Sequence, residues 1–316
     1  MILYMHTSII LLKIGNDIVN NMKKKVSVMW ALVTGASSGI GRDMSRYLYK
    51  LGYNLIIVAR NVDKLNELKA ELSQNKSNDN LKKVQDEEQI KNVTERKKEN
   101  EIENNSANPQ EQQIIIKQVD LSDRSQCIKL YGETKNISLD LLVNNAGFGV
   151  FGEFVETDLE KDINLINTNI IAVHILTKLY LKDMIKNNKG HILNVASIAG
   201  MEPGPLMAAY YASKSYVIRL SRAINKEIKK KKANVNISIL CPGPVDTNFN
   251  NVAKVVFKAP SMSSEKVAKY GIDKALKGKL IIIPGFLNKC VRFFSKIIPD
   301  CILEEVAYHI QRRKKI

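Results

Sequence analysis

Residues 26–41 read VSVMWALVTGASSGIG, and the fold turns on how this stretch divides. Its first part, VSVMWALVT, is a nearly unbroken apolar run rich in Val, the pattern of a strand covered on both faces. TGASSGIG, from Thr34 to Gly41, follows directly and holds Gly35, Gly39 and Gly41. Glycine there lets the chain turn tightly and lets backbone approach a pyrophosphate at the N-terminus of the next helix. The free N–H groups and the dipole of that helix end favour an anion. Ser37, Ser38 and Ile40 share the loop. The GxxxGxG spacing is a variant of the usual dinucleotide fingerprint. A purely structural turn would explain the glycines as well, and the placement between strand and helix is what points to a nucleotide.

The same alternation continues outward. NLIIVA (54–59), QIIIKQV (113–119), LDLLVN (139–144), GHILNVAS (190–197), VNISILC (235–241) and KLIIIP (279–284) are further strand candidates. Amphipathic segments around 39–50, 61–74, 123–135, 159–187, 206–231 and 264–277 separate them. Strands alternating with helices predict an α/β fold, a single doubly wound Rossmann-type domain with a parallel sheet. Residues 75–111 break the rhythm. They are almost free of large apolar side chains, so a solvated low-complexity insertion, at most partly helical, is expected between the second and third strands. A partner-docking role is the alternative for that segment.

The second strand ends in Arg60. An NAD site places Asp or Glu there for the ribose hydroxyls, whereas a guanidinium suits a 2′-phosphate. Arg60 therefore favours NADP(H) over NAD(H), against the plainer reading of a solvated strand-end arginine. Further on, AAYYASKSYVIRL (208–220) sets Tyr210 and Tyr211 four and three residues before Lys214. On a helix both could face the lysine, whose ammonium would favour phenolate. A phenol tuned in this way suits proton transfer. Helical geometry alone does not choose between the two tyrosines.

TGASSGIG, NNAG at Asn144–Gly147, YYASK, and CPGPVDT at Cys241–Thr247 together resemble the short-chain dehydrogenase/reductase family in its seven-stranded form. The resemblance covers roughly residues 26 to 283, interrupted by the insertion. It implies a Tyr-x-x-x-Lys pair with a serine thirteen residues before the tyrosine, which selects Tyr210, Lys214 and Ser197 and leaves Tyr211 as a neighbour. The family's helical asparagine falls on Asn169, with Asn164 and Asn167 close by. Asp120 matches the residue that meets the adenine amino group, although an aspartate there could instead cap the next helix. Pro242, Gly243, Val245 and Thr247 match the nicotinamide side of the site, and Asn144, Ala146 and Gly147 its adenosine side. The implied activity is an NADP(H)-dependent hydride transfer between nicotinamide C4 and a carbonyl or secondary alcohol, with Tyr210 as acid–base. A reductase of carrier-linked or membrane-associated 3-oxoacyl chains and a non-catalytic NADP-binding sensor are the alternatives. Family members pair their two long helices, here 159–187 and 206–231, so a homodimer or homotetramer is implied.

Composition bounds the rest. The chain has 316 residues, 45% of them hydrophobic, enough for an ordinary globular core. A net charge of +16 raises nucleic acid as a partner, yet no RNA-recognition signature, zinc-finger spacing or basic heptad region occurs, so none is expected. The four cysteines are scattered without a CxxC pair and the four histidines are dispersed. Free thiols in a cytoplasmic protein and no metal site are expected. Residues 1–22 carry an apolar stretch too short to span a bilayer, with the basic cluster after it and not before it. They read as an N-terminal extension, with Met22 an alternative start. The Rossmann domain then covers 23–284 with its insertion at about 75–112, and a C-terminal helical extension covers 285–316. Substrate choice is expected in NFNNVAKVVFKAPSM (248–262) and in the tail, where aromatic and aliphatic residues alternate with Lys289, Arg292 and Lys296. Such a helix could contact an anionic membrane surface or cover the substrate cleft.

Overall fold

The computed structural model describes residues 28–74, 112–247, 261–295 and 297–312. Residues 1–27 with the expected N-terminal extension, the expected insertion from residue 75 to 111, residues 248–260 where substrate choice was expected, Lys296 and the last four residues lie outside the described residues.

Seven strands form one parallel sheet. They are β1 (Trp30–Thr34), β2 (Asn54–Ala59), β3 (Ile114–Gln118), β4 (Leu141–Asn144), β5 (Gly190–Val195), β6 (Val235–Leu240) and, as numbered below, β9 (Ile281–Ile282). Their order is β3-β2-β1-β4-β5-β6-β9. The apolar runs predicted this: every residue of β2 and β4 is buried, because helices cover both faces. On one face Val33, Leu55, Ile57 and Val143 pack against Met44 and Leu48 of α1 (Gly39–Lys50). Val267 and Ile272 of α7 (Ser264–Leu276) complete that layer. On the other face Leu32, Ile56, Leu142 and Ile192 meet Leu130 of α3 (Arg124–Thr134), Leu176 of α5 (Val173–Lys186) and Ile228 of α6 (Ala208–Lys230). Burying each such aliphatic side chain stabilises the fold by about 2 kcal/mol before the entropy of ordering it is counted. The helix over residues 62–74, α2, follows β2. Where the insertion rejoins the domain, Gln112 donates from Nε2 to the carbonyls of Tyr49 and Tyr53 at 2.8 and 3.0 Å.

The strand order reverses between β1 and its two neighbours, β2 and β4. At such a switch point the loops leaving the strand ends diverge and open a crevice. The glycine loop after β1 and the NNAG loop after β4 flank it.

Two details depart from the sequence pattern. The expected helix over 159–187 is three pieces: α4 (Leu159–Ile166), a π-helical turn (Asn167–Ala172) and α5. The π turn adds a residue to one coil, and with it Asn169 is fully buried, its amide tied to Phe148. A second, two-stranded sheet joins β7 (Val245–Asp246) to β8 (Met262–Ser263), on either side of residues 248–260. Beyond β9 the tail forms α8 (Phe286–Phe294) and α9 (Asp300–Arg312). Among the described residues no helix is long and apolar enough to cross a membrane.

Candidate active site

The glycine loop takes the backbone course that its composition permits. Gly35 and Gly39 have φ of +67° and +52°, a region costly to residues with a Cβ. At Gly41 a Cβ would sit 2.3 Å from both the Gly35 carbonyl oxygen and Asn145 Nδ2, so only glycine lets the helix start that close to the β4 loop. Asn145 locks the two loops together, donating from Nδ2 to the Thr34 carbonyl at 3.0 Å while its backbone N–H donates to Thr34 Oγ1 at 2.9 Å. Ser38 caps α1 in an extended conformation without a side-chain bond, and the first turn of α1 carries no acidic residue. Its backbone N–H groups therefore face the crevice as an anion site. Arg60 and Lys64 of α2 also line the cleft. These features fit a dinucleotide, and the two cations fit an additional phosphate.

The crevice widens into a cleft of about 1900 Å³. Every predicted site residue borders it except Gly41, Asn144 and Asn169. Gly41 acts through close packing, as above. Asn144, expected beneath the adenosine ribose through its backbone, does not itself border the cleft. Its side chain is buried and donates to Asn194 Oδ1 at 2.8 Å and Thr177 Oγ1 at 3.1 Å. Its neighbour Asn145 borders the cleft instead, and NNAG offered both asparagines without distinguishing them. Asp120 lies on the cleft, and its Oδ1 accepts from Ser122 N and Oγ at 2.9 and 2.8 Å. The cap of α3 is Asp123, which accepts from Ser125 N.

At the base of the cleft the amphipathic pattern of α6 places the chemistry. Lys214, Val217, Ile218 and Ser221 form its inward stripe, so the lysine is carried into the protein and is 5% exposed. Lys214 Nζ donates to the Val195 carbonyl at 3.0 Å and lies 5.8 Å from the centre of the Tyr210 ring. The Tyr210 phenol is hydrogen-bonded to the Ser197 side chain. Ser197 leaves β5 as the cap of a short 3-10 turn, accepting from Ala199 N at 3.1 Å and donating to the Pro242 carbonyl at 3.4 Å. The three groups thus converge from β5 and α6, although the serine and tyrosine are thirteen residues apart in sequence.

Asn169 is tied to both sides of this arrangement. Its Oδ1 accepts from Phe148 N at 3.1 Å, and its Nδ2 donates to Phe148 O at 2.9 Å and Ser213 Oγ at 3.1 Å. Ser213 in turn donates to the Tyr210 carbonyl at 2.7 Å. The asparagine therefore couples the β4 loop to the turn of α6 that carries Tyr210. A Cβ on Gly147 would lie 2.9 Å from Asn169 Oδ1 and 3.2 Å from Lys214 Nζ, so that glycine keeps a narrow space between the two side chains. Neither Asn164 nor Asn167 makes comparable contacts among those described, and Asn169 alone is fully buried.

Burial, not the lysine charge, dominates the ionisation of this site. It pushes the Tyr210 phenol up to about 12, against the opposing bond from Ser197, and pulls the Lys214 ammonium down to about 8. The sequence-based expectation of a phenol lowered by Lys214 is corrected in that respect: desolvation outweighs an ammonium held at this distance. Tyr210 is accordingly a protonated acid near neutral pH. Tyr211 is also neutral, raised by its own burial, and its ring stands edge-on to that of Tyr210.

The far wall of the cleft is the C-terminal tail. Phe286, Leu287, Val291 and Phe294 of α8 and Val306 and Ile310 of α9 border it. The interleaved aromatic and aliphatic residues of the tail were the signal for this, and they left cleft cover and membrane contact undecided.

A family model described as short chain dehydrogenase matches residues 29–100 and 83–255. The chain belongs to the short-chain dehydrogenase family. This short-chain dehydrogenase is 30% identical over 237 residues to the very-long-chain 3-oxoacyl-CoA reductase of Anas platyrhynchos, across 73% of its own length and 64% of that protein. It is 26% identical over 298 residues to the Homo sapiens protein of the same name, across 90% and 83% of the two chains. The match to the Mycosarcoma maydis reductase, at 28% identity, covers 74% of this chain and 58% of that protein. The aligned stretch thus spans less than two thirds of several of these relatives. Among solved structures, a short-chain dehydrogenase from Sphingobium yanoikuyae in complex with NADPH superimposes with a TM-score of 0.68 at 21% identity, covering 86% of this chain and 97% of that one. The alcohol dehydrogenase of Thermococcus sibiricus, complexed with 5-hydroxy-NADP, gives 0.62 at 22% identity, covering 81% and 96%. Both share the fold.

Proposed function

We propose that this short-chain dehydrogenase reduces a ketone on an acyl thioester, a 3-oxoacyl chain, using NADPH. The observation that carries the catalytic part is the Ser197–Tyr210 hydrogen-bonded pair with buried Lys214 beside it at the base of the cleft. A module that only sensed the cofactor would have no use for a desolvated acid held against a second hydroxyl. The names of the relatives and the apolar wall from α8 and α9 support the substrate class.

The cofactor would be held by the backbone N–H groups after Gly39, with Arg60 and Lys64 at the 2′-phosphate. When bound, its reduced nicotinamide supplies the hydride. The protein supplies the rest. Ser197 donates a hydrogen bond to the carbonyl oxygen, which gathers charge as the carbon accepts the hydride. Tyr210 passes its phenolic proton to that oxygen, giving the hydroxyl product and leaving a phenolate. A secondary alkoxide is far more basic than a phenolate of pKa about 12, so this transfer runs downhill. Lys214, protonated below pH 8 or so, then faces the phenolate and stabilises it until solvent returns a proton.

NADPH oxidation with 3-oxoacyl thioesters, simple ketones, aldehydes and oxosteroids tests the proposal, with NADH in parallel. Turnover concentrated on the 3-oxoacyl thioesters supports it. Turnover of small ketones alone would return the assignment to a general carbonyl reductase. NADPH binding without turnover of any substrate would favour the sensor.

A further inference from the structure

Helix α8 is apolar on more than one side and buries none of its residues. Leu287, Val291 and Phe294 border the cleft, which accounts for that side. The other side has no such account. Phe293 is 61% exposed and Ile297, in the turn that continues α8, is 64% exposed, and neither borders the cleft. Lys289, Arg292 and Phe293 fall three and four residues apart on the helix and share a face, and Ile297 follows Phe293 by four. No acidic residue occurs in α8, and residues 285–316 carry seven lysines and arginines against three aspartates and glutamates. Phe286 and Leu287, at the start of α8, border the cleft and are still 78% and 71% exposed, so the cleft opens to the surface along this helix. Bulky apolar residues left this exposed along one helix mark a contact surface.

We infer that this outer face of α8 docks on an anionic phospholipid surface, with Phe293 and Ile297 entering the boundary between headgroups and acyl chains while Lys289 and Arg292 meet the lipid phosphates. Apolar residues interleaved with cations, and no acids among them, are what such an interface takes. The long basic side chains can keep their charges at the phosphate level while their stems lie along apolar surface. The same charges disfavour a second copy of the chain as the occupant. A two-fold contact through α8 would set Lys289 and Arg292 against their own counterparts, in a protein whose net charge is already +16. The helix lies on the surface, since among the described residues no helix is long and apolar enough to cross a membrane. Docked in this way, the protein turns the cleft mouth at Phe286 and Leu287 towards the acyl-chain layer, and an apolar substrate dissolved there can enter without passing through water.

The test is sedimentation of the full chain with vesicles of phosphatidylcholine alone and of phosphatidylcholine mixed equally with phosphatidylserine, at low and at raised salt. The mixed vesicles are expected to bind at least about tenfold more tightly, with the difference shrinking as salt rises. Lys289→Glu combined with Arg292→Glu should remove the preference for phosphatidylserine. Phe293→Ser combined with Ile297→Ser should weaken binding to the mixed vesicles by about tenfold. Both variants should bind NADPH like the unmodified protein, because none of the four residues borders the cleft, and this checks that they fold. An unmodified protein that ignores the mixed vesicles, or binds both kinds alike, overturns the inference. So does binding that both variants retain in full, which would put the contact elsewhere in the chain. Self-association that Phe293→Ser with Ile297→Ser abolishes, without vesicle binding, would give the face to a second copy and overturn it as well. No substrate enters the assay, so its outcome is separate from that of the 3-oxoacyl reading.

Discussion

Replacing Lys214 by methionine should leave stability near neutral pH little changed while abolishing turnover. The ammonium is pulled from 10.5 down to about 8 by burial, a shift that corresponds to roughly 3 kcal/mol of strain in the folded state. Methionine fills similar space without charge, but it leaves the Val195 carbonyl unpaired, which costs about 1–3 kcal/mol. The two terms nearly offset at pH 7, so the sharper readout is pH. A lysine whose folded pKa is depressed destabilises the fold fully while both states are protonated, below about 8, and ceases to do so above its unfolded value near 10.5. Across that window the unfolded state binds more protons, and stability rises with pH. Wild type should therefore gain roughly 2 kcal/mol on Lys214→Met between pH 7 and pH 9.5. Urea unfolding of both proteins without cofactor, at those two pH values, measures this. A stability gap that stays constant, or one that moves towards the variant, would refute a buried, depressed lysine.

Three further outcomes follow from the site. Gly41→Ala brings a Cβ to 2.3 Å of the Gly35 carbonyl and should weaken NADPH binding at least tenfold in a fluorescence titration, whereas affinity like wild type would remove the close approach from the account. Arg60→Asp should reverse the cofactor preference by roughly tenfold or more towards NADH, read as the ratio of kcat/KM values, and an unchanged ratio would contradict the phosphate role. Asn169→Leu strips partners from Phe148 N, Phe148 O and Ser213 Oγ and should cost roughly 3 kcal/mol in urea unfolding, with kcat falling more than KM rises, since it loosens the turn that holds Tyr210. A neutral effect on both would leave Asn169 without a positioning role.

Much of this site was legible because its parts obey local rules. A sheet buried on both faces writes itself as Val- and Ile-rich runs, and the glycine loop needs glycines where φ is positive or a Cβ has no room. The spacing from Tyr210 to Lys214 is one helical turn, and it survived folding because α6 is a regular helix. What stayed hidden is tertiary. NNAG did not reveal that Asn144 turns into the protein while Asn145 binds the glycine loop, since both are polar residues at a strand end. The π turn at 167–172 has no sequence signature that separates it from a helix, yet Asn169 lies within it. Burial at the cleft base reversed the expected direction of the Tyr210 shift, and burial is a property of the assembled fold. Gln311 donates from Nε2 to the Tyr211 hydroxyl across a hundred residues of sequence, and nothing local links them.

The central claim is that Tyr210 is the proton donor of a carbonyl reduction. Its most direct test is the turnover of Tyr210→Phe against wild type on a 3-oxoacyl thioester, with NADPH affinity measured on the same preparations. The account predicts a fall in kcat of at least about a hundredfold with affinity nearly unchanged, because only the proton and the bond to Ser197 are lost. A phenylalanine variant that turns over within a few fold of wild type would contradict it.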